Sequence, residues 1–212
     1  MSGARRRDVI PTRAMLRELE AEQQVATEGR EFLDQKRMLL ATEILRGLRE
    51  LEKLRSELDA LEQEATEAMA RGVARHGLEG LSCYAADPVD VALDVERDQF
   101  IGVELVRARV ADDGMRVGGG PEGGSGRAIH PSPEARRCAR AFRAMVPVLV
   151  RLAALSGTLR RLGHEYRQTD RRVRALERVL MPEIDETLRS VEEILEEQDQ
   201  EEAIYARLPH RK

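Results

Sequence analysis

Residues 33–68 read LDQKRMLLATEILRGLRELEKLRSELDALEQEATEA. Through this stretch and just before it, Leu19, Ala26, Leu33, Leu40, Gly47, Leu54, Leu61 and Ala68 recur at every seventh position. A second series near the other terminus has the same step: Met145, Leu152, Leu159, Tyr166, Val173, Leu180, Thr187 and Ile194. A seven-residue apolar repeat keeps one seam of a helix against a partner helix, as a coiled coil requires. Two such helices separated by a different kind of segment predict an all-α dominated fold. The expectation is a long antiparallel two-helix coiled coil with a small middle region containing a β-hairpin. The corresponding domains are residues 1–76 (first long helix), 77–131 (a middle knob with short strands and a glycine-rich flexible loop) and 132–212 (second long helix).

Composition supports an elongated molecule over a sphere. Aromatic residues make up 3% of the 212 positions, Trp is absent and charged residues reach 35%. A thin line of aliphatic side chains can be buried without large aromatic ones, and the bias toward Ala, Glu, Leu and Arg is that of long helices. The net charge of −4 provides no global basic field to draw the chain to nucleic acid or anionic lipid. Cys83 and Cys138 have no ligand-type neighbours and predict reduced thiols in a cytosolic protein. Arg5, Arg6 and Arg7 are not followed by an apolar run, so no leader is predicted. The apolar cluster from Ala144 to Leu155 is broken by Pro147 and Arg151, which predicts no direct membrane insertion.

The first helix is expected to begin near Pro11 and to run about 60 residues, roughly 90 Å at 1.5 Å per residue. Its companion seam is polar at Gln23, Arg30 and Arg37, then recovers at Ile44, Leu51, Leu58 and Ala65. The second helix is expected from Pro133, with Ser132 as N-cap, to about Leu208, some 110 Å by the same rise. Its companion seam is Val148, Leu155, Leu162, Thr169 and Leu176, and after Pro182 the stripe moves to Ile184, Leu188, Val191 and Leu195. Pro147 and Pro182 each remove a backbone donor and predict bends. If Pro11 stands opposite Leu208, counting inward at equal rise puts Leu40 beside Leu180.

In the middle the period changes. Val89, Val91, Leu93 and Val95 alternate with polar or small residues, as in a strand, and Ile101, Val103 and Leu105 continue the pattern. Asp112-Asp113-Gly114 between Val110 and Met115 predicts the hairpin turn. Residues 118–126 are rich in glycine and predict a flexible loop. The middle region is expected as a knob at one end of the helix pair.

Candidates for chemistry are few. His76, His130, His164 and His210 lack Cys or carboxylate neighbours at metal-ligand spacing. The glycine-rich run ends without the Lys-Ser/Thr of a phosphate loop. No cofactor, no metal and no catalytic group is assigned, and the chain is read as a non-enzyme. Arg160, Arg161, Arg167, Arg171, Arg172, Arg174 and Arg178 form a basic belt. Two readings stand for it: a solvated coiled-coil flank paired with carboxylates of the first helix, or a contact with an acidic partner. Arg171, Arg172, Arg174 and Arg178 are the partner-contact candidates. Leu33, Leu40, Leu54, Leu61, Leu152, Leu159, Val173 and Leu180 are the seam. Gly29, Gly47, Gly157 and Gly163 cost helix stability, about 1 kcal/mol each against Ala, and either thin or bend the helices or are simply tolerated.

These pieces resemble a known family. Pro11-Thr12-Arg13, Leu16, Leu19, Gly29, Phe32-Leu33 and Lys36-Arg37 resemble the N-terminal helix of the D subunit of V-type and A-type rotary ATPases. Residues 169–177, from Thr169-Asp170-Arg171-Arg172 to Leu176-Glu177, with Leu180, Pro182 and Thr187, resemble that family's most typical segment. Gly102-Val103 is similar to its usual Gly-Val in the middle. Arg174 departs from the family's usual Asn. The resemblance implies a central-stalk rotor subunit that carries torque between a hexameric head of A and B subunits and a membrane ion-translocating ring. It implies the F subunit and a funnel-shaped subunit as further partners, ATP bound elsewhere, and a cytoplasmic location peripheral to the membrane. The alternative, from the residues alone, is a static coiled-coil adaptor or tether in the cytosol.

Overall fold

A computed structural model describes residues 11–82, 89–117 and 132–207. The element order is α1 (Arg13–Ser82), β1 (Val89–Phe100), β2 (Val103–Val117), α2 (Pro133–Ala175), a π-helical turn (Leu176–Leu180) and α3 (Met181–Arg207). Two compact units are formed: Met1–Leu39 with Tyr166–Lys212, and Leu40–Glu165. Each is an antiparallel helix pair, and the second also carries the hairpin. The glycine-rich run 118–126, His130, His210, Cys83 and Leu208 lie outside the described residues.

Both helix starts are capped by hydroxyl side chains, which take up N–H groups that have no partner inside the helix. Thr12 Oγ1 accepts from Met15 N at 3.2 Å, and Ser132 Oγ accepts from Ala135 N at 3.3 Å. α1 runs 70 residues to Ser82, past the expected boundary at 76, with one non-helical residue at Gly77 (φ 70°).

The first heptad series is the packed one on α1. Ala26, Leu40, Leu54 and Ala68 are buried hydrophobics, Gly47 is buried between them, and Leu33 and Leu61 are half-buried. On the second helix the companion series does most of the packing: Val148, Leu162 and Thr169 are buried, then Ile184 and Val191. Of the opening series Val173 is fully buried, Leu152 and Leu159 are half-buried, and Leu180 is 37% exposed. The π turn explains the displacement of Leu180. A π turn holds one residue more than an α turn. The packed stripe therefore steps by eight from Leu176 to Ile184 instead of by seven.

The register also differs from the count made from the ends. In the first unit Gln23 Nε2 donates to Asp185 Oδ1 at 2.7 Å, and Arg30 Nη1 lies 3.8 Å from Glu177. These pairs put Leu180 at the level of Thr27 or Glu28, roughly a dozen residues from Leu40. The assumed starting pair was the error: Arg13 meets Asp199 at 2.8 Å, so the C-terminal helix reaches past the start of α1.

The hairpin is a two-stranded antiparallel sheet running from Phe100↔Val103 to Val89↔Val117. Its turn is Ile101-Gly102, with φ of 49° and 82°. Positive φ at both central residues is the two-residue hairpin geometry whose twist matches the strands, and Gly102 adopts it without cost. Asp112-Asp113-Gly114 is not the turn. It lies within β2, where the pairing jumps from Leu93↔Val110 to Val91↔Met115, so residues 111–114 of β2 stand opposite Ala92 alone, an enlarged irregularity of the ladder.

A window of the helical stretch Pro133–Tyr205 is long and apolar enough to cross a membrane by length and composition, with mean hydropathy 1.4. The sequence pattern alone had marked the cluster at Ala144–Leu155 as too short for this. Apolar residues of that stretch also serve packing within the second unit. Ala141 joins Ala65, Ala68, Cys138 and Met145 in one cluster, and Val148 and Leu162 are buried.

Candidate functional site: seam, latch and arginine face

Four charges meet across the first unit. Arg37 Nη1 lies 3.1 Å from Asp170 Oδ1, Arg37 Nη2 lies 2.7 Å from Asp34, and Arg174 Nη2 lies 2.8 Å from Asp170 Oδ2. The hydrogen bond to Asp170 raises the Arg37 pKa above its ordinary value, so this guanidinium stays charged at any working pH. One Asp thus takes an Arg from each helix, and buried Thr169 and Val173 flank it. Of these pairs only Arg37–Asp170 crosses between the helices, so a slip by one turn would break that pair while the two pairs within single helices stayed intact.

The four candidate arginines differ in their surroundings. Arg174 is tied to Asp170. Arg171, Arg172 and Arg178 are exposed and, among the described residues, form no ion pair with the chain. Residues three and four apart share a helix face, so Arg171 and Arg174 project together while Arg172 points aside. Among the described residues, none of these four arginines pairs with a carboxylate of the first helix. Arg161 has a separate task, in the hairpin latch.

The second unit holds the hairpin through a polar latch that the sequence pattern did not announce. Thr158 Oγ1 accepts from Val106 N at 3.0 Å and donates to Val106 O at 3.1 Å. Arg161 Nε donates to Glu104 O at 2.9 Å, and its Nη2 donates to Thr158 Oγ1 at 3.2 Å. The outer edge of β2 is thereby satisfied by side chains of α2, while Val103 and Leu105 are buried beside it. Thr158 lies 26 positions along from Ser132 (158 − 132), about 39 Å at the helical rise. The hairpin therefore lies along α2 and not at the end of the helix pair, where the knob was expected. A cleft of about 200 Å³ between α1, α2 and β2 is lined by Gly47, Leu105, Val106, Leu155 and Leu159, with charged residues at its rim.

Where α1 nears its end, a second clasp joins it to the start of α2. His76 Nε2 lies 2.6 Å from Ser132 Oγ, which donates to Glu134 Oε2 at 2.9 Å, and Arg75 pairs with Glu134 at 2.9 Å. Glu134's own backbone N–H, then the Ser132 hydroxyl and the Arg75 charge, hold its carboxyl below the ordinary 4.5. A carboxylate depressed in the folded state adds stability above its unfolded pKa, and that share is lost as pH falls through the folded value. Glu134→Gln is therefore expected to lower the melting midpoint at neutral pH. It should also flatten the decline below about pH 4.5, as read from melting curves at stepped pH.

The glycines separate into two kinds. A Cβ on Gly47 would lie 2.7 Å from Leu159 Cδ2 and 3.4 Å from its Cγ, whereas Gly29 and Gly163 have nothing within 4 Å. Among the described glycines only Gly47 marks a close approach of one helix to the other. Gly29→Ala is expected to raise stability by about 1 kcal/mol, a midpoint rise of about 2–4 °C. Gly47→Ala should show no such gain, because Leu159 must move. Equal gains at both sites would show that Leu159 yields freely.

Among the described residues no three His, Cys, Asp or Glu side chains gather as a metal ion would need. What is assembled is contact geometry: a buried seam, two polar clasps, a latched hairpin and the exposed guanidinium groups of Arg171, Arg172 and Arg178. This defines a paired-helix protein with a β-hairpin latched along its second helix. Residues 15–208 match the family model described as the D subunit of ATP synthase. Relatives include the V-type ATP synthase D subunit of Thermotoga neapolitana, 26% identical over 195 residues covering 92% of this chain and 93% of that protein. The D subunit of the Anaeromyxobacter dehalogenans V-type ATP synthase is 30% identical over 205 residues, covering 92% of each. That of Thermus thermophilus is 28% identical over 195 residues, covering 92% of this chain and 84% of that protein. The chain belongs to the ATP synthase D-subunit family. It is, at that level, a subunit of a V/A-type ATPase.

Proposed function

We propose that this chain is the non-catalytic central-stalk rotor subunit of its ATPase, carrying torque between a catalytic head and a membrane ion-translocating ring. The observation that carries this reading is the paired-helix seam, held in register by the cross-helix contacts Arg37–Asp170, Gln23–Asp185 and Arg13–Asp199, within a chain whose family match spans almost its whole length. A torque-bearing element must resist slip of one helix along the other, and a cross-helix clasp provides that resistance. Its partners on this reading are the A and B subunits of the head, the F subunit, and the funnel-shaped subunit that links to the ring. The chain itself is cytoplasmic and peripheral, held at the membrane by those subunits, with residues 77–131 as a middle region distinct from the two helical ones.

Arg171, Arg172 and Arg178 are the head contacts on this reading. Exposed ion pairs of about 0–1 kcal/mol form and break at every turn without trapping the rotor. Reversing Arg172 and Arg178 to Glu is expected to lower ATP turnover per assembled complex at least twofold while the melting midpoint of the chain stays unchanged. Unchanged turnover would remove these residues from the coupling path. Failure of the wild-type chain to co-purify with ATP-hydrolysing subunits would favour a static adaptor.

A further inference from the structure

Between fully buried Val173 and buried Ile184 the second helix contributes no buried residue to the seam. The π turn Leu176–Leu180 occupies this interval; Met181 N–H bonds to Leu176 O, one residue farther back than in an α-helix. Pro182 accounts for its position. Proline has no N–H, and its ring crowds the carbonyl four residues earlier, here that of Arg178; a widened turn relieves the clash. Val179 and Leu180 stand 53% and 37% exposed, so the extra residue is not packed. On the facing part of α1 the buried side chain is the small Ala26, with Thr27 and Leu33 half-buried. Gly29 has open space around its missing side chain. Arg30 Nε is buried without a hydrogen-bond partner, and Arg30 reaches only to 3.8 Å from Glu177.

We propose that Leu176–Leu180 is a twist joint built into the shaft; its mechanical role rests on the rotor reading above. The torsional stiffness of a helix pair comes from its interlocked seam and its regular hydrogen-bond ladder. Both are interrupted at this level and intact on either side, so an applied twist concentrates here. The wide turn can also move by one residue, because neither Val179 nor Leu180 must leave a packed site for it to do so. The joint gives the Met181–Arg207 segment angular play relative to Val173 while the clasp at Asp170 keeps axial register.

The test uses the assembled ATPase carrying this chain, with Val179 deleted and Pro182→Ala. The deletion returns the Leu176-to-Ile184 step to seven and closes the seam. Pro182→Ala alone retains the extra residue and serves as the control. In the wild type, amide exchange over residues 176–183 is expected to be at least tenfold faster than over 168–174. The double variant should lose that difference and also lose at least half its turnover per assembled complex, while the control keeps fast exchange. Wild-type amides as protected as their neighbours would overturn the joint. So would a double variant with slowed exchange and undiminished turnover. If the double variant fails to assemble, the wild-type exchange pattern decides. If the chain proves not to belong to an ATP-driven rotor, the rotor reading falls, and exchange on the isolated chain still decides whether the joint exists.

Discussion

Leu54→Asp is expected to destabilise the helix pair by about 4 kcal/mol or more, lowering the melting midpoint by roughly 8–16 °C. Leu54 is 6% exposed in the α1 seam. Truncating a buried leucine alone costs about 2–5 kcal/mol. The carboxylate adds the desolvation penalty of a charge in an apolar seam, so it either stays protonated or forces the seam open. Leu159→Asp, against Gly47, should act in the same direction. Leu61→Asp, half-buried in the same series, should cost less. Circular dichroism melting of the three variants gives the order. An unchanged midpoint for Leu54→Asp would mean that this position faces solvent and that the seam is misassigned.

Thr158→Val is expected to free the hairpin at a cost of about 2–3 kcal/mol. The change keeps the side-chain shape and removes one hydroxyl. That hydroxyl serves Val106 N–H, Val106 C=O and the Arg161 guanidinium at once. Leaving a buried backbone donor or acceptor unsatisfied costs about 1–3 kcal/mol. The effect should be local: amides of 103–110 exchange at least tenfold faster while α1 amides near Leu54 keep their protection. Thr158→Ser, which retains the hydroxyl, should preserve the hairpin. If Thr158→Val leaves exchange over 103–110 unchanged, Val103 and Leu105 alone hold the hairpin and the latch is incidental.

The first seam could be read directly from its spacing because apolar or small residues recur at every seventh position with charges around them. The second helix was harder. Two apolar stripes share it, and the deeper one includes Thr169, whose polarity disguises a fully packed position. Pro182 signalled a disturbance, but a proline announces a bend and not the extra residue that displaced Leu180. Strand alternation gave the two strands. The turn was misplaced because Asp-Asp-Gly has stronger turn chemistry than Ile-Gly, and Ile101 takes a positive φ that β-branched residues avoid. The register was misjudged because sequence marks helix starts better than it marks which ends face each other. The latch escaped notice because a Thr in an apolar helix reads as a tolerated residue until a strand edge lies against it. Arg37 and Asp170 were visible as charges, yet only the register brings them together.

A rotor subunit must turn as ATP is hydrolysed. The direct measurement holds the ATPase head fixed and follows a bead attached through a cysteine at Leu78, which is 70% exposed, with Cys83 and Cys138 replaced. ATP is expected to drive unidirectional rotation of the bead that stops when ATP is withdrawn. A bead that stays still while the same complexes hydrolyse ATP would contradict the account.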